Sequence, residues 1–391
     1  MQTKKFIFSL VSIMVVAAFV LSACGSAAPD VAAGYTGTVV SSVPADLVTA
    51  CKKEGMVTII ATPPNWANYG EIFADFEKTT GAKINSLDPN AGSATELEAI
   101  EANKSNKGPQ APDIVDVGYS YGAKGIAAGD YQPYKVSNWD KVPDMVLGLP
   151  AKDPNGYWTV GYYGVLVFET NAAVVQNPPT TWADLLKPEY KGQVALSGPA
   201  TTSNQAQQVI LAAGLANGGS LDDAQAGLDF FKQLNDVGNF VPVVEKVGTL
   251  AQGSTPITVA WDYLAFGDKE SLAGNPPVVI SYPTPTIGGG YVQAISAYAP
   301  HPNCAKVWME ILHSDEGQLA WLRGHASTVH EADMLARGVI PADVLAFLPD
   351  PSVLAAAVAP TVDQLTAASA LIASGWMTTV GAAQSTATPA P

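Results

Sequence analysis

The sequence predicts an α/β protein whose folded body divides into two lobes. Short apolar runs alternate with helix-period patterns, as strands and their covering helices do in a buried sheet. The alternation comes in two blocks, followed by a mainly helical end. At 391 residues the chain exceeds one ordinary domain, and a hydrophobic content of 48% supplies core for two.

The first block opens with a helix over 45–53 and a buried strand over 56–62. Tyr69, Ile72, Phe73 and Phe76 then recur at helical spacing, and Gly81 closes that helix. A strand at 84–87, a helix marked by Leu97 and Ile100, a strand at 113–117 and a helix at 121–128 follow. The second block has strands at 165–169, 194–196, 241–244 and 257–261, with helices at 203–215 and 221–235. After a last strand within 291–299 the pattern is helical almost to the end. Such alternation implies parallel sheets covered on both faces.

At the N-terminus, Lys4 and Lys5 precede an apolar run over 6–20 and the sequence Leu21-Ser22-Ala23-Cys24. That is the pattern of a secretory signal with a small-residue cleavage site. The run is shorter than the ~20 residues of a spanning helix, and none like it recurs, which argues against a polytopic membrane protein. Leu-Ser-Ala-Cys also resembles the lipobox of bacterial lipoproteins. The resemblance implies that 1–23 is a lipoprotein signal peptide and that Cys24 carries a lipid holding the protein at the outer face of a membrane. An ordinary signal peptide, leaving Cys24 a free thiol, is the alternative. The Gly, Ser, Ala, Pro and Thr of 24–42 read as a flexible tether, and 381–391 as a disordered tail.

Twenty basic against 35 acidic residues give a net charge of −15, with no Lys/Arg cluster to track a phosphate backbone, which excludes nucleic acid as a partner. Beyond Cys24, Cys51 and Cys304 remain. In an oxidising compartment they either pair or stay free, because sequence does not fix the separation of their Cα atoms. Four scattered histidines do not form a metal site, and neither metal nor cofactor is expected.

Five segments in order resemble the extracellular solute-binding proteins of ABC importers, in the branch of iron, polyamine and phosphonate binders. They are Phe73-Ala74-Asp75-Phe76-Glu77-Lys78-Thr79-Thr80-Gly81, Tyr163-Gly164 through Thr170-Asn171, Pro179-Thr180-Thr181-Trp182-Ala183-Asp184-Leu185-Leu186 with Tyr190-Lys191-Gly192, Pro300-His301-Pro302-Asn303-Cys304-Ala305-Lys306, and Ser314-Asp315-Glu316-Gly317-Gln318. The similarity spans nearly the whole chain after Cys24. It implies the two-lobed, type II periplasmic-binding-protein-like fold, with a ligand cleft between lobes joined by crossover strands. Lobe one would be 43–162 plus 293–380, and lobe two 163–292. The implied partners of this monomer are a small solute, the permease subunits of the importer and, through Cys24, the membrane.

Ligands of open α/β sheets lie beyond the carboxyl ends of strands, where helix N-termini present N–H groups. That rule selects Trp66, Ser93, Tyr119, Thr202, Ser203, Trp261 and Asp262. Ser93, Thr202 and Ser203 suit an anionic group, or serve simply as N-caps. Trp261 falls where polyamine binders carry an aromatic wall, with Trp66 as the opposing wall and Asp262 as an ammonium partner. Tyr291, with Gly289, stands where that branch has an Asp and a Trp, and no carboxylate follows the early strand of lobe two. The expected solute is therefore anionic or zwitterionic, resembling an aminophosphonate, ahead of a polyamine or ferric iron. A hydrolase is disfavoured: there is no Gly-x-Ser-x-Gly elbow, and His330-Glu331 lacks the second His of a zinc helix. A solute sensor on the same fold is a further alternative.

Overall fold

The computed structural model describes residues 34–385. The chain opens with α1 (Ala45–Glu54), β1 (Met56–Ile60), α2 (Tyr69–Thr80), β2 (Lys83–Leu87), α3 (Ser93–Ala102), β3 (Ile114–Gly118) and α4 (Tyr119–Ala128). After β4 (Tyr131–Gln132) and the β5–β6 hairpin (Met145–Val146, Leu149–Pro150) comes the long strand β7 (Thr159–Asn171). Next are β8 (Val194–Leu196), α5 (Asn204–Ala216), α6 (Gln225–Asp236), β9 (Phe240–Val244), α7 (Val247–Ala251), β10 (Ile257–Trp261), α8 (Asp262–Ser271), β11 (Val278–Ser281) and β12 (Gly288–Ser296). The chain ends with α9 (Pro302–Leu312), α10 (Asp315–Arg323), β13 (Ser327–Thr328), α11 (Glu331–Arg337), α12 (Ala342–Leu345), α13 (Pro351–Ala356) and α14 (Val362–Thr379).

One winding sheet runs β2-β1-β3-β12-β7-β10-β8-β9. Its ends are parallel, β1 beside β2 and β3 in one lobe and β8 beside β9 and β10 in the other. The parallel expectation fails at the centre, where β12 runs antiparallel to β3 and to β7, and β10 antiparallel to β7. The reason is connectivity. Strands β7 and β12 carry the chain between the lobes in opposite directions, and each inserts beside strands that point the other way. Strand β7 joins the halves: its start pairs β12, while Leu166 to Thr170 pair β10.

Both terminal segments depart from expectation. The tether reading of 24–42 fails for 34–42 because Asp75 of α2, a buried acid, needs donors. Tyr35 Oη and Thr38 N–H supply them at 2.8 and 2.6 Å, and Val40 packs behind them. The tail reading of 381–391 fails for 381–385. Ser385 bridges Val243, Gln384 accepts from Ala200 N–H at 2.7 Å, and Trp376 Nε1 donates to the Ala382 carbonyl at 2.7 Å. Helix α14, placed with lobe one by the sequence, lies across both lobes. Ser369 meets Tyr121 of α4, whereas the Trp376 ring packs 5.8 Å from Phe231 of α6 and Phe240 of β9. Cys24 lies outside the described residues.

A disulfide joins Cys51 to Cys304, tying α1 to α9 across a sequence separation of 253. Closing so long a loop restricts the unfolded chain, an effect of about 2–4 kcal/mol in typical proteins. The double variant Cys51→Ser/Cys304→Ser should therefore fold but melt several degrees lower, as circular dichroism would read. Equal melting temperatures would show the link to be dispensable.

Candidate functional site

The carboxyl ends of the parallel strands face one another across the sheet, and the loops there enclose a cavity of about 70 Å³. Lobe one contributes the turn after β1, the start of α3 and the end of β3; lobe two contributes the loops after β8 and β9. The rims touch. A methyl group on Gly92 would lie 2.6 Å from the Thr202 carbonyl oxygen, and Ala94 N–H donates to that oxygen at 3.4 Å. Gly92 has φ −96° and ψ 166°, which any residue adopts. Its lack of a side chain serves the contact rather than the backbone.

Asp116 forms the floor. It sits in β3 among apolar neighbours and is 4% exposed. Its Oδ2 accepts from Tyr162 Oη at 2.7 Å and Tyr69 Oη at 3.0 Å, and its Oδ1 from Gln293 Nε2 at 2.7 Å. Trp66 Nε1 donates to Tyr162 Oη at 2.6 Å, so the aromatic wall is connected to the acid. Burial pushes the Asp116 carboxyl up to about 6, against the opposing pull of those three donors. Glu96 of α3 also lines the cavity and accepts from Asp116 N–H at 2.8 Å. Burial first, and the Asp116 charge second, hold it well above the ordinary carboxylate range. Two acids that resist ionisation in one small aromatic chamber suit a ligand that brings positive charge.

The Trp66 wall is built at some cost to the backbone. Ala67 and Asn68, directly after it, have φ of 44° and 62°, in the left-handed region that side-chain-bearing residues rarely adopt. Asn68 Nδ2 anchors the turn on the Ala320 carbonyl at 2.9 Å. The Trp66 ring then stands edge-on to Tyr291, centroids 5.4 Å apart.

Of the residues selected from sequence, Trp66, Ser93, Ser203 and Tyr291 line this cavity. Ser93 Oγ accepts from Gly118 N–H at 3.1 Å, leaving its own hydroxyl proton free, and Ser203 caps α5 through Ala206 N–H at 3.4 Å. Thr202 meets the opposite lobe through its carbonyl. Tyr119 packs edge-on against Trp158, away from the cavity lining. Trp261 is fully buried behind Tyr291, donating to its hydroxyl at 3.3 Å. Asp262, at the start of α8, accepts from Val165 and Tyr263 N–H at 3.2 and 2.9 Å, and borders a separate groove of about 650 Å³ beside Phe266 and Phe347. The structure thus does not bring Asp262 into the chamber with Trp66.

Sequence reasoning missed Asp116, Glu96, Gln205 and Lys246, which line the cavity together with Asn204, the last residue of the run after β8 that the strand-end rule selects. Asn204 Nδ2 and Gln205 Oε1 are buried without partners among the described residues, one donor and one acceptor. The available signal was Asp116, a lone acid inside the run Ile114-Val115-Asp116-Val117.

Residues 110–339 match the family of bacterial extracellular solute-binding proteins, more than half of the chain, and the chain belongs to that family. An uncharacterized protein of Haemophilus influenzae is 27% identical over 246 residues, 60% of this chain and 66% of that one, so the match spans just under two thirds of the relative. Among solved structures, the periplasmic binding protein AfuA from Actinobacillus pleuropneumoniae, with fructose-6-phosphate bound, superimposes with a TM-score of 0.63 at 20% identity, over 84% of this chain and 99% of AfuA. A putative spermidine/putrescine ABC transporter protein from Listeria monocytogenes gives 0.62 at 19% identity, over 83% and 99%. The apo ferric ion-binding protein A of Pasteurella haemolytica gives 0.57 at 17% identity, over 84% and 98%. At these identities the likeness establishes the fold, the two-lobed architecture of periplasmic binding proteins. No helix among the described residues is long and apolar enough to cross a membrane.

Proposed function

We propose that this protein is the extracytoplasmic receptor of an ABC importer, anchored through a lipid on Cys24, and that its cleft captures a small zwitterion for delivery to the permease. The lobes would be 43–162 with most of the returning chain, and 163–292. The ammonium group would rest against Asp116 and Glu96 inside the Trp66–Tyr291 wall. The anionic group would meet Ser93, Ser203, the N-termini of α3 and α5, and Lys246 at the rim. Aminophosphonates and aminosulfonates have both charges at suitable reach.

The observation that carries this reading is Asp116. A carboxylate this buried, oriented by three donors and lining a cavity, is preorganised for a positive partner. The same pair of acids also favours a second reading, a polyamine, because Glu96 and Asp116 are the counter-charges a diamine needs. Thermal-shift titration with aminophosphonates, polyamines and ferric chelates separates them. Stabilisation by aminophosphonates is expected; stabilisation by polyamines alone would overturn the zwitterion.

The acid at the floor makes binding pH-dependent. In the free protein the raised Asp116 contributes stability at low pH that is lost as pH rises through about 6. A bound ammonium reverses that preference by favouring the ionised form. Affinity should therefore fall as pH drops from 7.5 toward 5, approaching about tenfold per unit well below the carboxyl's titration point. Dissociation constants measured across that range would check it, and a flat profile would count against Asp116 as the contact. For the anchor, Cys24→Ser should shift the protein from the membrane to the soluble fraction while leaving solute affinity unchanged; retention on membranes would refute lipidation at Cys24.

A further inference from the structure

A second group of acids lies outside the cleft, inside lobe two. Glu169 of β7, Glu245 just beyond β9 and Asp268 of α8 each bring a carboxylate oxygen to within 4.8 Å of the others. They come from three elements far apart in sequence, brought together by the packing of α8 on β7 and by the Glu245 N–H bond to the Leu196 carbonyl at 2.9 Å.

Glu169 is the informative member. It is 0% exposed, near the C-terminal end of β7, where that strand is flanked by β10 on one side and β11 on the other. Among the described residues no donor reaches either of its carboxylate oxygens, nor Oε1 of Glu245. A buried carboxylate is ordinarily paired or hydrogen-bonded, and one with both oxygens bare is costly to retain. The neighbouring cation, Lys246, is exposed and turned to the cleft rim; it eases Glu245 and Asp268 but does not figure among the influences on Glu169. Burial, with mutual repulsion second, pushes Glu245 up to about 8 and holds Glu169 well above the usual carboxylate range.

We propose that Glu169, Glu245 and Asp268 form a binding site for a hard divalent cation, calcium by preference. The donor set is all oxygen, which suits calcium or magnesium over softer metals. Oxygens bound at about 2.3–2.6 Å to one calcium ion lie up to ~5 Å apart across it, and the observed 4.8 Å limit falls within that span. Asp268 is only partly buried, which gives an ion a path from solvent and leaves room for water to complete the coordination. The bound ion would pin α8 to β7 and to the β9–α7 connection. That connection carries Lys246 to the cleft, so the site would also steady the rim.

The test needs no solute. The purified protein, stripped with EDTA and dialysed into about 0.15 M NaCl to screen surface charge, is melted with and without about 5 mM CaCl₂. The wild type should gain about 3–6 °C. Both Glu169→Gln and Asp268→Asn should reduce that gain to less than about 1 °C. Glu169→Gln should also melt close to wild type in EDTA, because it replaces a buried acid that burial already holds largely protonated with a neutral side chain of the same shape. Asp268→Asn, at a partly exposed position, keeps the test valid if Glu169→Gln fails to fold. No calcium response in the wild type, or a full response in Asp268→Asn, would overturn the site.

Discussion

Asp116→Asn is expected to weaken solute binding by about a hundredfold or more while leaving the fold intact. Removing one partner of a buried, hydrogen-bonded charge pair typically costs about 2–5 kcal/mol, and every 1.4 kcal/mol is tenfold. Asparagine keeps the shape of the side chain, and the Tyr69 and Tyr162 hydroxyls retain an acceptor at its carbonyl oxygen. What it loses is the negative charge at the floor and the acceptor that Asp116 Oδ1 offers Gln293 Nε2. Burial already disfavours that charge in the free protein, which offsets the lost Gln293 bond, so the variant should stay within about 2 kcal/mol of wild type near neutral pH. Isothermal titration calorimetry with the solute that stabilises the wild type would measure the loss. Asp262→Asn is the contrasting control. That carboxyl is buried against β7, where burial raises it to about 7, and affinity should stay within about threefold of wild type. Equal losses in the two variants would mean that the site has been placed wrongly.

The second large effect is expected from Gly92→Ala. The added methyl meets the Thr202 carbonyl, a backbone atom with no rotamer to retreat into. Alanine suits the local φ and ψ, so lobe one should fold normally. The clash exists only when the two rims are together. Overpacking of this kind costs about 1–3 kcal/mol, which would fall on the closed form alone. Solute affinity should drop about tenfold or more, with the solute-free melting temperature within a degree or two of wild type. Small-angle scattering should show the solute-saturated variant remaining more extended than the wild type. Wild-type affinity in this variant would mean that binding does not require rim contact at Gly92.

Much of this arrangement is legible in the sequence because strand ends are legible. Apolar runs closed by Pro63-Pro64, Gly92-Ser93 and Ser197-Gly198 mark where loops leave the sheets, and those loops do line the cavity. Trp66, Ser93 and Ser203 follow from that rule directly. Asp116 does not, because its side chain reaches the cleft from within the strand rather than from the loop beyond it. Glu96 in the first turn of α3 resembles an ordinary charge favoured by the helix dipole, and only the partner strand shows that it is buried. Trp261 and Asp262 illustrate the converse. They end a strand and begin a helix as the rule requires, yet Tyr291 from β12 lies between Trp261 and the cavity, and Asp262 is drawn to the N–H of Val165 on β7. Both outcomes depend on the crossover strands, whose antiparallel register is set by pairing between distant segments. Composition misled at the termini for a similar reason. Small polar residues at 34–42 and 381–385 look unstructured until the groups they satisfy, Asp75 and the Ala200 N–H, are in place.

On the proposed function, the cleft floored by Asp116 is the solute site. A crystal structure of the protein with the solute that stabilises it tests this most directly. The solute should lie enclosed between the lobes, its cationic nitrogen within hydrogen-bonding distance of Asp116 or Glu96 and its anionic group against Ser93 and Ser203. Solute bound instead in the groove beside Asp262 and Phe347, with the Asp116 chamber filled only by water, would contradict it.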